Sequence, residues 1–481
     1  MKTLTIPVVC VIMTTSLAQA ESNVMNDYPE AIQAVLKSTR PLVHDRGGRM
    51  PLLLWPVQGG EVKDEAMQEA IIRDLDARGI SMIATWNSSE DSIEDSLRVA
   101  RIQQRLGLPV YINAIAPMYE FYNGDPSTAH RDEAGQPFFD LSIKGRDIGC
   151  PFQIEHRYDE LTEQIDVFVR AYHQAGLLID FVFGDWEVDG PLEVNRAWEA
   201  SKRCTICREK IADIESFDAF QAAVRIERSR ATRRCYVEPI LSRYPKALVG
   251  NYGVYPHDGY RYWYDYFEEF VDYHPHRMDQ HAPYRKWYDD FPLTGYTFAM
   301  PVIYPWARNF LWYDFESADY RWFYSMLKVA SNAGAHTSDE VPIVPFVHFE
   351  TIYEPDPNDD SIKQMSRFAY EELIWHTLLR GTDTLFLWCR ASKTEIEVPP
   401  LHEVWAASLA YRDWLQYGRP VIFEVPQRVG PVVSAVKYKG KLLVRRTDFD
   451  DDHPSPVKIE VDGQSVSVAR NQGVCQVIPL R

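Results

Sequence analysis

The chain has 481 residues, 46% apolar and 25% charged, which is enough to bury a sizeable core and excludes a disordered, collagen-like or coiled-coil polypeptide. Asp and Glu number 69 against 51 Lys and Arg, a net charge of −18, which argues against wholesale binding of nucleic acid or anionic membrane and leaves room only for a local basic groove. Thirteen Trp and 27 Tyr serve large cores and also suit a cleft in which sugar rings stack.

Residues 1–20 read as a signal peptide. Met1-Lys2 is the basic end, the stretch from Thr5 to Leu17 is mostly apolar, and Ala18-Gln19-Ala20 is a small-x-small cleavage site. No cysteine stands directly after that site and no later apolar run is long enough for a membrane span, so the expected location is secreted or periplasmic. Eight short apolar runs then follow, at 51–55, 80–86, 109–115, 178–183, 247–252, 297–303, 342–349 and 384–388. Each has the length and the Val, Ile, Leu and Phe content of a buried strand. Apolar residues at three- and four-residue steps predict helices at 64–78, 92–106, 158–175, 217–244, 318–333, 363–380 and 402–417. Gly107, Gly176, Gly334 and Gly381 stand where left-handed helix caps are wanted.

Eight strands alternating with helices predict an α/β fold, a (β/α)8 TIM-like barrel over 21–418. An open doubly wound sheet would need a glycine-rich phosphate turn after the first strand, and Pro56-Val57-Gln58-Gly59-Gly60 is not one. From 419 to 481 the pattern changes to short β-branched runs at 421–425, 432–438, 441–447, 457–461, 465–469 and 474–480. With Lys439-Gly440 and Asp462-Gly463 as hairpin turns, they predict a small C-terminal antiparallel, sandwich-like β domain. The acidic run 448–452 reads as a solvated loop. Beyond the signal segment there are six cysteines, Cys150, Cys204, Cys207, Cys235, Cys389 and Cys475. Cys204-x-x-Cys207 is half of a zinc site, but no second pair is obvious in the sequence. No metal or cofactor is therefore expected, and a local disulfide or free thiols is the reading.

In such a barrel the chemistry lies at the carboxyl ends of the strands. The fourth run ends Phe181-Val182-Phe183-Gly184-Asp185-Trp186-Glu187. Asp185 and Glu187, two apart, share one side of an extended strand, and mutual repulsion makes one of them hold its proton near neutral pH. That is the general acid glycosidic cleavage needs, beside a charged partner; the alternative is a structural ion pair. Tyr252 and Tyr255 follow the fifth run, Tyr304 and Trp306 the sixth, and Trp388 ends the eighth. Each offers a sugar an apolar face and a polar tip, and each taken alone suits core packing equally. Arg308, just past Tyr304, is placed to meet an acidic sugar. Trp55, Trp86 and Asn113 end the first three runs and are candidate wall positions. Glu350, after Val347-His348-Phe349, is either a nucleophile opposite Glu187 or a charge paired with Arg308 or Arg390. The chain carries no Gly-x-Ser-x-Gly elbow, His-Glu-x-x-His helix or P-loop.

Asp185-Trp186-Glu187 resembles the Asp-Trp-Glu signature of the hyaluronidase family of glycoside hydrolases. The stretch from Pro245 through Gly250 and Tyr252 to Pro256 looks like that family's fifth-strand segment, and Pro301-Val302-Ile303-Tyr304-Pro305 is similar to its sixth-strand tyrosine motif. The resemblance is scattered over residues 50–400. It implies Glu187 as acid/base, Asp185 orienting a substrate acetamido group whose oxygen attacks the anomeric carbon, Tyr252 and Tyr304 lining the site, and Trp388 covering it. The chain departs from the family where Val188-Asp189-Gly190-Pro191 replaces a Trp-Arg-Pro tail, where His257-Asp258-Gly259 replaces a cysteine segment, and in its β-rich C-terminus.

The resulting expectation is an exported, retaining, endo-acting hydrolase of an acidic or N-acetylated polysaccharide, monomeric or weakly oligomeric. The alternatives are a glycosidase for another polysaccharide, such as a sulfated one, with Glu350 as nucleophile, and a carbohydrate-binding barrel without catalysis.

Overall fold

Successive apolar runs pair side by side because a strand buried on both faces is stable only between parallel neighbours covered by helices. In the computed structural model, which describes residues 27–114, 124–141, 147–184, 197–251, 292–305, 318–351, 363–426, 428–449, 455–471 and 473–480, all eight runs contribute strands. These are β1 (Leu52–Gln58), β2 (Ile80–Thr85), β3 (Tyr111–Asn113), β4 (Phe181–Gly184), β5 (Leu248–Asn251), β6 (Val302–Ile303), β7 (Phe346–Val347) and β8 (Phe386–Leu387). They form one sheet in the order β5-β4-β3-β2-β1-β8-β7-β6, parallel throughout. This is the order of a barrel cut between β5 and β6. Thr297, five residues before β6, reaches across the cut: its N–H donates to Val249 O at 2.9 Å, and its Oγ1 accepts from Val249 N–H at 2.7 Å.

The helices on the outside are α1 (Glu30–Ser38), α2 (Glu65–Asp76), α3 (Ser92–Arg105), α4 (Tyr158–Gln174), α5 (Ala197–Arg203), α6 (Thr205–Lys210), α7 (Phe217–Thr232), α8 (Glu238–Arg243), α9 (Ala318–His336), α10 (Arg367–Leu378), α11 (Thr394–Ser408) and α12 (Arg412–Tyr417). Their starts follow local chemistry: Asp64 and Ser366 accept the N–H groups of Met67 and Ala369 as N-caps. Gly107, Gly176 and Gly381 take the positive φ of a C-terminal stop, as the sequence predicts. Gly334 does not. It lies within α9, where a Cβ would sit 2.0 Å from Arg380 O, so close backbone approach requires the glycine there.

Two other helix expectations need correction, and three helices are unexpected from the sequence. The helix predicted over 217–244 is interrupted by a π-turn at Arg233–Val237, which turns Tyr236 inward. Its hydroxyl lies 2.8 Å from Gly250 O and 3.1 Å from Val182 O, tying β4 to β5. The helix expected from 402 begins at Thr394 and carries Pro399 and Pro400 inside it. α1, α5 and α6 have no counterpart in the sequence reading; the last two are of only 7 and 6 residues, too short for a periodic signal.

The C-terminal strands are β9 (Arg419–Pro420), β10 (Val432–Tyr438), β11 (Lys441–Thr447), β12 (Val457–Val461), β13 (Gln464–Val468) and β14 (Gln476–Pro479). An antiparallel sheet ordered β9-β10-β11-β14 packs Val433, Ala435, Leu442 and Val444 against Ile459, Val461, Val466 and Val468 of the β12–β13 hairpin. Both predicted turns have two successive residues at positive φ, Lys439-Gly440 and Asp462-Gly463. The run at 421–425 is not a strand; pairing occurs just before it, at Arg419–Pro420. Asp448 is not solvated either, being buried in an ion pair with Arg446 at 2.8 Å.

A buried polar chain joins this sheet to α10. Arg380 Nε–H donates to Ser434 Oγ at 2.8 Å, and Ser434 Oγ lies 2.8 Å from His376 Nδ1. His376 Nε2 lies 2.9 Å from Thr447 Oγ1, and the Thr447 hydroxyl donates to Glu372, which also pairs with Arg445. Because Thr447 spends its proton on Glu372, it accepts from His376 Nε2–H; Nδ1 then accepts the Ser434 proton. With the imidazole neutral, every donor in this chain has an acceptor. Burial first, then the Arg380 and Arg445 charges, hold the His376 pKa well below its ordinary 6.5.

The unfolded chain takes up a proton at His376 as pH falls through 6.5, and the folded chain does not, so folding stability decreases on acidification below that point. Denaturant titrations between pH 5 and 7.5, a range of about one unit or more on each side of the ordinary imidazole value, are expected to show a His376→Gln variant losing stability less steeply than wild type, by up to one proton per chain. Equal slopes would contradict the neutral assignment.

Candidate functional site

Alternation along the strands sets which side chains enter the sheet's concave interior. Leu53 pairs with Phe386 and Phe386 with Phe346, so Trp55, two residues past Leu53, shares their face. Trp55, Phe183, Phe346 and Phe386 meet there with ring centroids 5.1–6.4 Å apart, in tilted and edge-on contacts that suit aromatic quadrupoles. Below them Tyr111 and Phe181 lie 5.4 Å apart, and Phe181 stacks on Phe298 at 4.5 Å. Trp55 is therefore part of an interior floor.

One step further toward the carboxyl ends the inward residues become polar or amphipathic. Tyr304 lies 5.5 Å from the His348 ring and 6.2 Å from Trp388, and His348 lies 5.0 Å from Trp388. Tyr304 also rests on Phe346 of the floor at 5.5 Å. Tyr304 and His348 are buried, and Trp388 is partly open. Asn113, paired in register with Phe183, is fully buried, and neither of its carboxamide atoms meets a hydrogen-bond partner among the described residues. A buried carboxamide in that condition is the kind of group a ligand or ordered water satisfies.

Glu397, near the start of α11, supports this layer from behind. One oxygen accepts Phe349 N–H at 3.0 Å and Glu350 N–H at 3.5 Å and lies 2.9 Å from His348 Nδ1, which is also 2.9 Å from Trp388 O. Glu397 thus fixes the backbone after β7 and the orientation of the His348 ring. Glu350 itself is tied to two cations, Arg390 at 2.6 Å and Lys393 at 3.0 Å. Arg390 is the ion-pair partner expected from the sequence, and Lys393 is a second one; the nucleophile reading depends on Glu187, which lies outside the described residues.

Of the residues singled out in the sequence, the structure gathers Tyr304, Trp388, Asn113 and Glu350 at the carboxyl ends of β3, β6, β7 and β8. Trp86 is a correction. It is fully buried on the opposite face of the sheet, stacked on Phe168 at 5.1 Å and edge-on to Tyr172 at 5.6 Å, both on α4, so it is core between sheet and helix. Asp185, Glu187, Tyr252, Tyr255, Trp306 and Arg308 lie outside the described residues. The sequence reading assigned His348 no role and missed Glu397 and Lys393. The available signal for Glu397 was an acid set directly before the apolar Val398-Pro399-Pro400-Leu401, where a charge needs a buried partner.

No family model and no curated protein sequence matches the chain. Among solved structures, it is similar to alpha-L-fucosidase isoenzyme 2 from Paenibacillus thiaminolyticus, at 12% identity and a TM-score of 0.43, over 78% of this chain and 51% of that one. It is also similar to a GH36 alpha-galactosidase from Geobacillus stearothermophilus, at 12% identity and a TM-score of 0.46, over 93% of this chain and 57% of that one. A GH29 alpha-L-fucosidase from Bacteroides thetaiotaomicron matches at 8% identity and a TM-score of 0.34, over 88% and 82%. The chain thus spans about half the length of the first two.

If Glu397 organises the end of β7, Glu397→Ala leaves the buried Phe349 and Glu350 amides without their acceptor and His348 Nδ1 with Trp388 O, an expected loss of about 2–4 kcal/mol in urea unfolding. Glu397→Gln keeps an acceptor oxygen and is expected to cost clearly less. Equal losses would show that packing, and not the hydrogen bonds, sets the contribution of this residue.

Proposed function

We propose that this protein is an exported glycoside hydrolase in which Glu187 donates a proton to the departing glycosidic oxygen. The observation that carries the reading is the layer of Tyr304, His348 and Trp388 above an aromatic floor, with the buried carboxamide of Asn113 at the level of that floor, at the end of the sheet where Asp185 follows β4 directly in sequence. A partly open Trp beside buried polar groups suits a sugar ring, which presents an apolar face and hydroxyl edges together. The strand order, with β5 and β6 linked through Thr297, supports a closed (β/α)8 barrel, the architecture in which strand-end residues do the chemistry.

Glu350 is held in an ion pair with Arg390 and Lys393, which ties its carboxylate to the barrel wall. We favour assistance by Asp185, as the resemblance to hyaluronidases implies: a substrate acetamido oxygen attacks the anomeric carbon and water later opens the intermediate, with net retention. That step requires an acetamido group, so the preferred substrate class is an N-acetylated polysaccharide, with acidic units among its sugars, cut internally. Arg390 and Lys393, each about a third exposed, supply cations at the mouth of a protein that is otherwise strongly acidic. The domain reading, a signal peptide at 1–20, a catalytic barrel at 21–418 and a β module at 419–481, belongs to the same proposal. Among the described residues no helix is long and apolar enough to cross a membrane.

The test is a panel of acidic and N-acetylated polysaccharides assayed for new reducing ends with product mass analysis. Glu187→Gln is expected to lower turnover by about 10²–10⁴-fold while leaving substrate binding intact. A wild-type chain that binds these polymers without cleaving any of them would favour the carbohydrate-binding alternative. Cleavage that survives Glu187→Gln but is lost in Glu350→Gln would transfer the role to Glu350.

A further inference from the structure

The two long connections at the carboxyl side of the sheet, after β3 and after β4, come together in a small lobe. Its interior is Cys150, Cys204, Cys207, Ile211, Phe220 and Val224. His130 comes from a two-residue strand, His130–Arg131, paired with Pro137–Phe138. Cys150 caps a 3-10 turn, Cys204 is the N-cap of α6, and Cys207 is in its first turn. The half-site Cys204-x-x-Cys207, for which the sequence showed no second pair, thus acquires one from the preceding connection.

All four side chains are buried, and their ligand atoms, three Sγ and the His130 nitrogen, lie within 4.8 Å of one another. Cys150 Sγ is 3.5 Å from Cys207 Sγ, and Cys207 Sγ is 3.8 Å from His130 Nδ1. No disulfide fits the first of these, since an S–S bond is about 2.05 Å long; the six described cysteines are all free thiols. A tetrahedron with zinc–sulfur bonds of about 2.3 Å and zinc–nitrogen bonds of about 2.0–2.1 Å has edges of about 3.8 Å between sulfurs and about 3.6 Å between sulfur and nitrogen. The two separations above lie within about 0.3 Å of those edges, and the remaining ones stay within 4.8 Å.

From this geometry we infer that His130, Cys150, Cys204 and Cys207 form a structural site for one tetrahedral divalent metal ion, zinc by its donor set. The surroundings agree. Arg131 N–H points at Cys204 Sγ at 3.5 Å, a donor for a thiolate. Phe138 stacks on the His130 ring at 5.1 Å and fixes its plane, with the Arg203 guanidinium 4.5 Å from the Phe138 ring centre. Three thiolates and a neutral imidazole leave a net charge of −1 on a zinc site, and Arg131, Lys202, Arg203 and Arg208 lie beside the ligands in sequence to offset it. Thiols alone gain little from such crowding, because S–H is a weak donor. Apart from one face of α7, the lobe consists of two-residue strands and helices of six and seven residues, which bury little apolar surface of their own, the condition under which small folds recruit a metal. Zinc entry forms one Zn–N and three Zn–S bonds and releases the protons of the thiols. All four ligands are supplied by protein, leaving no open position for catalysis. Its consequence is mechanical: it clips the connection that leaves β3 after Asn113 to the one that leaves β4 at Asp185.

The inference stands independently of the glycosidase reading, and so does its test. The full chain, purified without chelator, is expected to carry about one zinc ion by elemental mass spectrometry. After exchange with Co²⁺ it should show thiolate-to-metal charge transfer and the visible bands of a tetrahedral site. Cys150→Ser and Cys207→Ser are expected to lower metal content at least about tenfold, Cys475→Ser to leave it unchanged, and His130→Cys to retain the ion with an altered cobalt spectrum. His130→Cys covers the case in which the serine variants fail to fold. A wild-type chain that is metal-free and takes up neither Zn²⁺ nor Co²⁺ after reduction would overturn the inference. So would a disulfide within the cluster, found by alkylation and mass analysis under non-reducing conditions.

Discussion

Trp55, Phe183, Phe346 and Phe386 converge from four strands onto one point inside the sheet, at 5.1–6.4 Å between ring centres. Parallel strands of two to seven residues have few backbone hydrogen bonds with which to fix their curvature, so side-chain packing in the concave face must do it. Four large rings fill that space and set the radius. They also decide where chemistry is possible. With the interior occupied to the level of Phe346, the first inward positions able to meet a ligand are the next ones along β6, β7 and β8, Tyr304, His348 and Trp388, with Asn113 of β3 level with Phe183. Glu397 and the Glu350–Arg390–Lys393 group then hold that layer from the helix side.

A second constraint acts at the far end of α10. A charged and hydroxyl-bearing chain from Arg380 through His376 to Glu372 and Arg445 is buried between the helix and the C-terminal sheet. Buried pairs of this kind contribute modest net stability, but removing one partner is costly, so they fix which surface docks on which. Gly334 serves the same contact by letting α9 approach the backbone at Arg380. The β-rich C-terminus is therefore seated on the barrel by specific polar pairing as well as by apolar area.

The strands were legible because each is an apolar run of the right length bounded by turn residues, and the two hairpin turns because Lys439-Gly440 and Asp462-Gly463 have the chemistry that positive φ demands. Tyr304 and Trp388 were legible by position alone, as amphipathic residues at strand ends. What was hidden depended on distance in sequence. Glu397 contacts His348 across about fifty residues, Trp86 was assigned to the wrong face because one residue of strand register reverses every side chain, and His130 and Cys150 meet Cys204 and Cys207 only after two connections fold together. The π-turn that brings in Tyr236 and the helix that runs through Pro399-Pro400 both go against local propensity, and tertiary packing decides them.

The most direct measurement of the central claim is a crystal structure of the Glu187→Gln variant soaked with an oligosaccharide fragment of a cleaved polymer. The account predicts a sugar ring against Trp388 and Tyr304, with the residue-187 carboxamide within about 2.6–3.2 Å of the glycosidic oxygen. A fragment bound elsewhere on the molecule, or lying across the strand ends with residue 187 turned away from it, would contradict it.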